Sequence, residues 1–497
     1  MKPAVQIEVL RELMSQLDEG VNADAGGVMS CPASTYTCPD LAGREWETFF
    51  RGHPQIVGMT ADLPEPGSFI TCSDLGIPIL VTRDKAGQVR AFLNSCRHRG
   101  PMVEQARRGR KSRFSCPFHA WTYDSSGALI GVPQEDQFGT IDKACLGLIE
   151  LPAAERFGFL LVHSDPKGVI DTETLFQGVA DDLEHWDWGR YVLAHEQTLD
   201  MKLNWKLATD TFGETYHFKR LHKDTLANNF HGDVLSYRSY DRNHRMILCL
   251  RGIDELRGQP EADWTIEQGG FPVYFLFPNV VVNVGNKRIA VVRVYPDPQD
   301  PGRSISQISY YFDREVLAEN PGMAMLFAEG FTAVVAAEDY ATAETTQRAL
   351  AAGLQDQLLF GRNEPPLHHY HNTFRRALGM EPCRSPRPGS AAPGRSSRHW
   401  RHRSPRRPHR RRGPTPEVQG ADVAPGHRRL PDTRIAGEDR MGRGQAHPPR
   451  RCFRRMKNSA MLRSTVRPAW LWASSKAKPA IWPPLRNSRG TWLASLQ

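Results

Sequence analysis

The sequence has no long apolar run. No segment approaches the roughly 18–20 consecutive apolar residues of a membrane-spanning helix, and the longest apolar stretch, residues 271–284, is interrupted by prolines and asparagines. The first twenty residues have the periodicity of a short amphipathic helix and lack the apolar core of a signal peptide. We therefore expect a soluble, cytoplasmic protein with no membrane partner.

The pattern of cysteines that marks a disulfide-bonded protein is missing too. The nine cysteines fall at irregular intervals and their number is odd, which favours a reducing compartment. They are Cys31, Cys38, Cys72, Cys96, Cys116, Cys145, Cys249, Cys383 and Cys452.

An excess of basic charge is missing from most of the chain. Residues 381–497 hold 27 of the 64 lysines and arginines but 6 of the 55 acidic residues. Residues 1–380 therefore carry a net charge of −12, although the whole chain carries +9. The positive average is thus no sign of a nucleic-acid-binding surface, and we expect no nucleic-acid partner.

Residues 381–497 also lack any sustained apolar period. They contain 16 prolines, and arginine outnumbers lysine by 24 to 3. A basic disordered tail is one interpretation. We favour an out-of-frame translation of GC-rich DNA, because five of the eleven tryptophans lie there. Resequencing the coding DNA around codon 380 tests this hypothesis, and an intact frame shared by closely related genes would contradict it.

What the sequence does contain is two short segments that each supply one cysteine and one histidine. Cys96 and His98 lie in CRHRG, and Cys116 and His119 lie in CPFHAWTY. A structural zinc site usually pairs cysteine with cysteine and histidine with histidine. The mixed spacing instead lets one iron of a [2Fe–2S] cluster take both sulfurs and the other take both imidazoles. We predict such a cluster, with a zinc loop as the alternative.

A second candidate metal site follows further along the chain. Glu214, His217 and His222 have the spacing E-x2-H-x4-H, which places Glu214 and His217 on one face of a predicted helix. For both imidazoles to reach one ion, that helix must bulge or end near residues 219–221. Two histidines and one carboxylate form the facial arrangement of non-haem Fe(II) sites with open positions.

The carboxylate of this site is expected from a distant segment. Asp339 is our candidate, because it lies in an Ala-rich helical stretch where a buried carboxylate needs a partner. Glu338 and Glu344 are the alternatives. Asp210 and Tyr216 flank the histidines and are candidates for supporting contacts, although capping and packing explain them as well.

The hydrophobic pattern predicts an α+β chain. Short alternating runs indicate antiparallel strands first, and further strands are then followed by a long helix over residues 320–350. Four parts are expected: an N-terminal helix and connector (1–44), an antiparallel β domain that holds the Cys/His loops (45–167), a second α+β domain (168–380), and the tail (381–497).

These motifs resemble those of the α (oxygenase) subunits of Rieske non-haem iron aromatic-ring-hydroxylating oxygenases over roughly residues 45–380. The matching elements are CRHRG from Cys96, CPFHAW from Cys116, NWK from Asn204, ETYH-x4-H from Glu214, and the acidic pair 338–339 with Gln347. The resemblance implies a Rieske β domain followed by a helix-grip catalytic domain, in which an antiparallel sheet holds a long C-terminal helix.

The resemblance also implies the ligand sets. A Rieske [2Fe–2S] cluster is expected on Cys96, His98, Cys116 and His119, and mononuclear Fe(II) on His217, His222 and Asp339. Glu214 is expected to act in catalysis, by bridging to the equivalent of His119 in a neighbouring subunit. Many aromatic dioxygenases have aspartate at the position of Glu214, so this chain departs from them there.

The expected activity is that of an oxidoreductase, a Rieske-type oxygenase that hydroxylates an aromatic or other small organic substrate with O₂, by mono- or dioxygenation. No GxGxxG motif follows a predicted strand, so electrons from NAD(P)H are expected through a separate ferredoxin or reductase. The bridge through Glu214 would require an oligomer, either a homotrimer or an αβ hetero-oligomer. The alternative is a Rieske electron-transfer protein fused to a ligand-binding domain that does no catalysis.

The basic loop QARRGRKSR at residues 105–113 leaves two interpretations open. Its arginines, among them Arg107, Arg108 and Arg110, could dock an acidic ferredoxin. The loop could equally be a solvated connection without a partner.

Overall fold

The computed structural model describes residues 1–384 and the backbone of a short strand pair near the C-terminus, Leu485–Arg486 with Trp492–Leu493. The predicted tail, 381–497, lies outside the described residues except for its first four positions and that pair. Both interpretations of the tail therefore stay predictions. Among the described residues, no helix has the length and apolarity to cross a membrane.

The N-terminal part contains more regular structure than the sequence analysis predicts. Helix α1 (Pro3–Glu19) confirms the predicted amphipathic helix, but the connector contributes strand β1 (Met29–Pro32) and helix α2 (Pro39–Glu45). Helix α2 begins at a proline, which lacks only an N–H that the first helical turn leaves unpaired anyway. It continues as a π-helical turn, Trp46–Arg51, whose Phe49 and Phe50 are buried. The predicted boundary at residue 45 therefore falls inside a helical segment.

Short antiparallel strands build the first domain, as predicted. They are β2 (Gln55–Met59), β3 (Ser68–Cys72), β4 (Ile79–Arg83), β5 (Val89–Leu93), β6 (Arg108–Arg110), β7 (Arg113–Ser115), β8 (Thr122–Asp124), β9 (Leu129–Gly131), β10 (Glu150–Leu151), β11 (Ala153–Arg156) and β12 (Phe159–Val162). They form three sheets, in the orders β10-β5-β4-β3-β6, β11-β12-β2 and β7-β8-β9. One Cys/His segment follows β5, and the other connects β7 to β8.

One large antiparallel sheet dominates the second domain. Short helices α3 (Thr172–Leu175) and α4 (Ala180–Leu183) lead into strand β13 (Tyr191–Met201) and helix α5 (Trp205–Asp210). The following elements are β14 (Phe230–Tyr240), β15 (Asn243–Leu250), α6 (Ile266–Gly269), β16 (Gly270–Leu276), β17 (Val280–Gly285), β18 (Arg288–Pro296) and β19 (Ser304–Asp313). The seven strands have the order β13-β19-β18-β17-β16-β15-β14.

A long helical rod covers the inner face of this sheet. After α7 (Arg314–Glu319), the rod runs through α8 (Pro321–Val334), a π-helical turn (Val335–Tyr340) and α9 (Ala341–Ala351). It confirms the helix predicted over residues 320–350. Phe327 of α8 packs edge-to-face on Tyr310 and Phe312 of β19, so aromatic contacts fix the rod on the sheet.

The elements after the rod pack on the N-terminal segment and on the second domain. Strand β20 (Gln357–Phe360) pairs antiparallel with β1, and α10 (Pro365–Ala377) packs on the second domain through Tyr370 and Phe374. The pairing of β1 with β20 joins segments more than 300 residues apart in sequence.

Ion pairs join the two domains at the basic loop. Arg108 lies 3.1 Å from the Asp62 carboxylate and 2.6 Å from that of Glu196 on β13. Arg107 lies 3.2 Å from the same Glu196 carboxylate. Arg110 is paired as well, because it lies 3.1 Å from the Glu65 carboxylate, although its side chain is 61% exposed. Both interpretations of the loop stay predictions.

Candidate active site

Tight turns fix both Cys/His segments. In the first, the backbone N–H of Gly100 donates to Cys96 and that of Cys96 donates to Pro101. Gly100 has φ +89°, a conformation that glycine adopts without strain. In the second, Ala120 donates to Cys116. Each turn therefore places its cysteine and its histidine at the tip of a rigid β-sheet.

The two cysteines of these turns are buried side by side. Cys96 and Cys116 are each 3% exposed, carry free thiols and lie within hydrogen-bonding distance of each other. Burial raises the pKa of the Cys116 thiol, while the backbone N–H groups of Phe118 and His119 lower it by pointing at the sulfur. The Tyr123 hydroxyl lies 3.4 Å from the Cys96 sulfur. Thiolates at these positions would therefore have donors ready to stabilise them.

The two histidines lie nearer the surface. Their rings are 4.7 Å apart between centroids, and His98 stacks on Trp121 at 5.0 Å. His98 is half-buried and His119 is exposed. Paired sulfurs inside and paired imidazoles outside match a cluster with sulfur ligands on one iron and nitrogen ligands on the other. The four predicted residues fit a Rieske cluster.

The two histidines of the second predicted site lie on turns rather than on a helix. The regular helix α5 ends at Asp210, before Glu214, so the predicted shared helix face is wrong. Gly213 interrupts the segment, and a Cβ there would lie 2.3 Å from Leu367 of α10. A side chain at this position would therefore collide with α10. Consecutive turns then bring His217 and His222 together without the helical bulge that the spacing would require.

His217, His222 and Asp339 converge on one point. Their ligand atoms all lie within 4.8 Å of one another. The Asp339 Oδ1 atom is 3.2 Å from His222 Nε2 and 3.5 Å from His217 Nε2. Facial ligands bound to one ion at about 2.1 Å would lie roughly 3 Å apart. The triad therefore has the donor set and spacing for a single Fe(II).

Carboxylates also hold the other ring nitrogen of each histidine. Glu214 contacts His217 Nδ1, and Glu338 Oε2 lies 2.6 Å from His222 Nδ1. Thr225 fixes Glu338 through a hydrogen bond of 2.9 Å. These contacts keep the proton on Nδ1 and direct the Nε2 lone pair to the common point.

A π-helical turn allows two adjacent acidic residues to contact the same histidine. Glu338 and Asp339 lie in the turn Val335–Tyr340, where the extra residue widens the helix. His222 contacts Glu338 through Nδ1 and Asp339 through Nε2. Glu338, an alternative iron ligand from the sequence, thus supports the ligand His222 instead.

The remaining sequence candidates lie outside the triad. Glu344 accepts a hydrogen bond from the Lys202 backbone at 2.8 Å. Asp210 accepts from Tyr36 at 2.7 Å and contacts His371. Tyr216 is 67% exposed.

Charge at the triad favours a cation. Burial lowers the pKa of His217, but the nearby carboxylates of Asp339 and Glu214 outweigh it and raise the pKa to about 9. Burial raises the pKa of Asp339, but both histidines outweigh it and lower the pKa. Three carboxylates around two imidazoles thus hold an excess of negative charge, which a divalent ion can neutralise.

An apolar cavity opens beside the triad. Its empty space is about 840 Å³ when open solvent at the mouth is included. The lining includes Phe212, Phe218, Phe230, Phe271, Phe327 and Phe331. Such a cavity can hold an apolar or aromatic molecule against the predicted iron.

Two family profiles match the chain. One, described as "Ring hydroxylating alpha subunit (catalytic domain)", matches residues 188–380, and one described as "Rieske [2Fe-2S] domain" matches residues 53–150. The chain belongs to the Rieske non-haem iron oxygenases, as an α subunit. Its cofactors are a Rieske [2Fe–2S] cluster and mononuclear iron, and the predicted α+β fold is confirmed.

Relatives of this Rieske oxygenase include a choline monooxygenase and a naphthalene dioxygenase component. Choline monooxygenase of Spinacia oleracea is 26% identical over 358 residues, 70% of this chain and 78% of the relative. The large oxygenase component of a naphthalene 1,2-dioxygenase system of a Ralstonia species is 32% identical over 201 residues, 38% of this chain and 44% of the relative. A solved quaternary ammonium Rieske monooxygenase has a TM-score of 0.60 at 23% identity, over 71% of this chain and 96% of its own.

Oxygenases of this family act on small organic substrates with O₂, receive electrons from a ferredoxin or reductase, and form multimers. Sequence analysis missed two supporting groups of this Rieske oxygenase, the Glu338 contact to His222 and the Tyr123 hydroxyl beside Cys96. The acid adjacent to Asp339 was a signal for the first. Nothing in the spacing of Tyr123 indicated the second.

Proposed function

We propose that this chain is the oxygenase component of a multicomponent Rieske system and hydroxylates a small organic substrate, by mono- or dioxygenation. The observation that carries the proposal is the convergence of His217, His222 and Asp339 on one wall of an apolar cavity. Bound Fe(II) at this triad supplies O₂ activation, and the cluster on Cys96, His98, Cys116 and His119 supplies electrons singly.

The chain's own residues prepare this site. Glu214 and Glu338 hold the Nδ1 protons of His217 and His222, so that both Nε2 atoms face the iron position. Phenylalanines line the cavity and exclude water from the substrate. His217, His222 and Asp339 would hold the iron with two imidazoles and one carboxylate, a donor set that would leave room at the ion for O₂.

We also propose that electrons cross between subunits. His119 is exposed, and the Glu214 side chain beside His217 is 14% exposed. His119 of one subunit can therefore meet Glu214 of another across a subunit contact. A head-to-tail homotrimer, or an αβ hetero-oligomer built on one, would provide that contact. The solved quaternary ammonium monooxygenase is itself described as giving insight into inter-subunit electron transfer.

The proposed partners are a ferredoxin or an NAD(P)H-dependent reductase, in the cytoplasm. All cysteines in the described part of the chain are free thiols, which suits a reducing compartment. The apolar lining supports an aromatic substrate, and aromatic rings also attract quaternary ammonium groups of the kind that the choline relative oxidises.

Isotope incorporation tests the proposal. Chemically reduced holoenzyme is mixed with ¹⁸O₂ and a panel of aromatic and quaternary ammonium compounds, and products are analysed for label. We expect labelled product from the wild type and none from His217→Ala, whose Rieske spectrum remains intact. Ligand binding without labelled product for any member of the panel would favour the electron-transfer alternative.

A further inference from the structure

Two cysteines that are far apart in sequence face each other between strand β1 and residues 381–384. Ser30 of β1 forms an antiparallel bridge with Arg384, and its backbone N–H donates to the Arg384 carbonyl at 3.0 Å. In antiparallel pairing, one step forward on one segment meets one step back on the other, so Cys31 lies opposite Cys383. Opposite residues beside a hydrogen-bonded pair have Cα atoms about 4.5 Å apart and side chains on the same face. A disulfide spans Cα separations of roughly 4.4–6.8 Å, so the register permits one here.

The two thiols differ in their access to solvent. The Cys31 side chain is 0% exposed and packs with Met29, Phe360 and Leu367. Cys383 packs on the edge of this cluster and is half-buried, and both thiols are free. A small oxidant dissolved in water would therefore meet the Cys383 sulfur first, with the Cys31 thiol enclosed behind it.

A hydrogen bond between the two side chains makes one cysteine the donor and the other the acceptor. This hydrogen bond lowers the pKa of Cys383 although partial burial opposes it, and the nearby side chains of Arg375 and His371 lower it further. The same hydrogen bond, together with burial, raises the pKa of the Cys31 thiol. Cys383 is therefore the cysteine that ionises to a reactive thiolate, while Cys31 keeps its proton.

The segment that carries Cys383 lies between α10 and β1. The Cys383 backbone N–H donates to Asn372 Oδ1 of α10 at 2.8 Å, and the Glu381 carbonyl accepts from the Arg375 side chain. A bond from Cys383 to Cys31 would fasten this segment to β1 covalently. It would also join positions more than 350 residues apart in sequence, and links between such distant positions restrict the unfolded chain most.

We propose that Cys31 and Cys383 are a peroxide-responsive thiol pair, which forms a disulfide between β1 and residues 381–384. The Cys383 thiolate attacks one oxygen of hydrogen peroxide, the O–O bond breaks, and a sulfenic acid and hydroxide result. The Cys31 sulfur then attacks the Cys383 sulfur, its proton passes to the departing hydroxyl, and water leaves. The two thiols lose two electrons in total, and one peroxide becomes two waters. A dithiol reverses the bond, as a transient disulfide in a reducing compartment requires. The pair takes no part in the proposed oxygenation.

Peptide mapping tests the formation of the bond. The full-length holoenzyme is treated with a few equivalents of hydrogen peroxide, remaining thiols are alkylated, and the digest is analysed by mass spectrometry. We expect a peptide pair linked through Cys31 and Cys383, which is absent before treatment and after dithiothreitol. In Cys31→Ser the reaction stops at a Cys383 sulfenic acid, which dimedone traps. Cys145→Ser, which removes an exposed thiol elsewhere, leaves the linked pair unchanged.

Scanning calorimetry measures the consequence of the bond. We expect the peroxide-treated chain to melt about 3 °C or more above the dithiothreitol-reduced chain. Cys383→Ser, treated in the same way, corrects for any effect of peroxide on the metal centres and shows no such increase.

Three results would overturn the inference. The first is oxidation of Cys145 or other cysteines without the linked pair of Cys31 and Cys383. The second is a linked pair that leaves the melting temperature unchanged. The third is a resequenced coding DNA in which codon 383 does not encode cysteine.

Discussion

Carboxylates contact both ring nitrogens of His222, and the contact from Glu338 can be tested by substitution. The Glu338 carboxylate fixes the Nδ1 proton of His222, which is 1% exposed. We expect Glu338→Ala to reduce iron affinity at the triad about 10–100-fold, because the imidazole loses its orientation and basicity. Iron titration of the apo-triad measures the change.

Glu344→Ala is the matched control for Glu338. It removes an acid from the same rod whose partner is the Lys202 backbone rather than a histidine. Equal iron affinities for the two variants would contradict the role given to Glu338.

His244 links stability to pH away from the metal sites. Its buried ring stacks on Phe275, and its Nδ1 lies 3.3 Å from that of His369. Burial lowers the pKa of His244 well below its usual value, and burial lowers that of His369 as well. Below about pH 6.5 the unfolded chain therefore binds more protons than the folded one, and stability falls as the pH drops.

We accordingly expect the melting temperature to fall between pH 7.5 and pH 5.5, and to fall less in His244→Gln. Each pH unit below the unfolded pKa removes about 1.4 kcal/mol for one such histidine. Scanning calorimetry at a fixed rate measures both proteins. Parallel decreases in the two would show that His244 does not carry this dependence.

At the residue scale, spacing predicted both Cys/His segments and the two-histidine motif, because their ligands are close in sequence. The structure also brings Asp339 to the histidines. The separate role of Glu338 was not predicted, because the π-helical turn that brings it to His222 leaves no period in the sequence.

At the element scale, a buried ion pair anchors the segment that leads to the iron ligands. Lys206 of α5 and Glu45 of α2 are 1% and 2% exposed and lie 2.5 Å apart. The Trp205 indole also donates to Glu45, at 3.0 Å. We expect Glu45→Ala to lower the free energy of unfolding by about 3–5 kcal/mol, because it leaves the Lys206 ammonium buried without its partner.

Denaturant unfolding measures this loss, and Glu47→Ala is the control. Glu47 lies in the adjoining π-helical turn and is exposed, so its removal is expected to change stability by about 0.5 kcal/mol or less. Indistinguishable unfolding midpoints for the two variants would refute the anchoring role of Glu45.

Helices and strands with a strong hydrophobic period were predictable from the sequence, whereas the distant segments with which they pair or pack were not. The rod over residues 321–351 and the strands around β16–β19 followed from periodicity. The pairing of β1 with β20 and the turns around His217 depend on tertiary packing, including the contact of Gly213 with Leu367.

At the scale of the whole molecule, Arg107 and Arg108 join the two domains through Glu196. Because both guanidinium groups are already paired with the Glu196 carboxylate, they are less available to attract a ferredoxin. A docking surface near the cluster would more readily use the exposed residues beside His119, among them Phe118, which is 55% exposed.

One chain is expected to hold both a Rieske cluster and a separate iron at the triad. Anaerobic reconstitution followed by iron counting and EPR measures both. We expect about three irons per chain with a Rieske signal, and about two irons with the same signal in His217→Ala. About two irons in both proteins, or a Rieske signal that survives Cys96→Ser, would contradict the account.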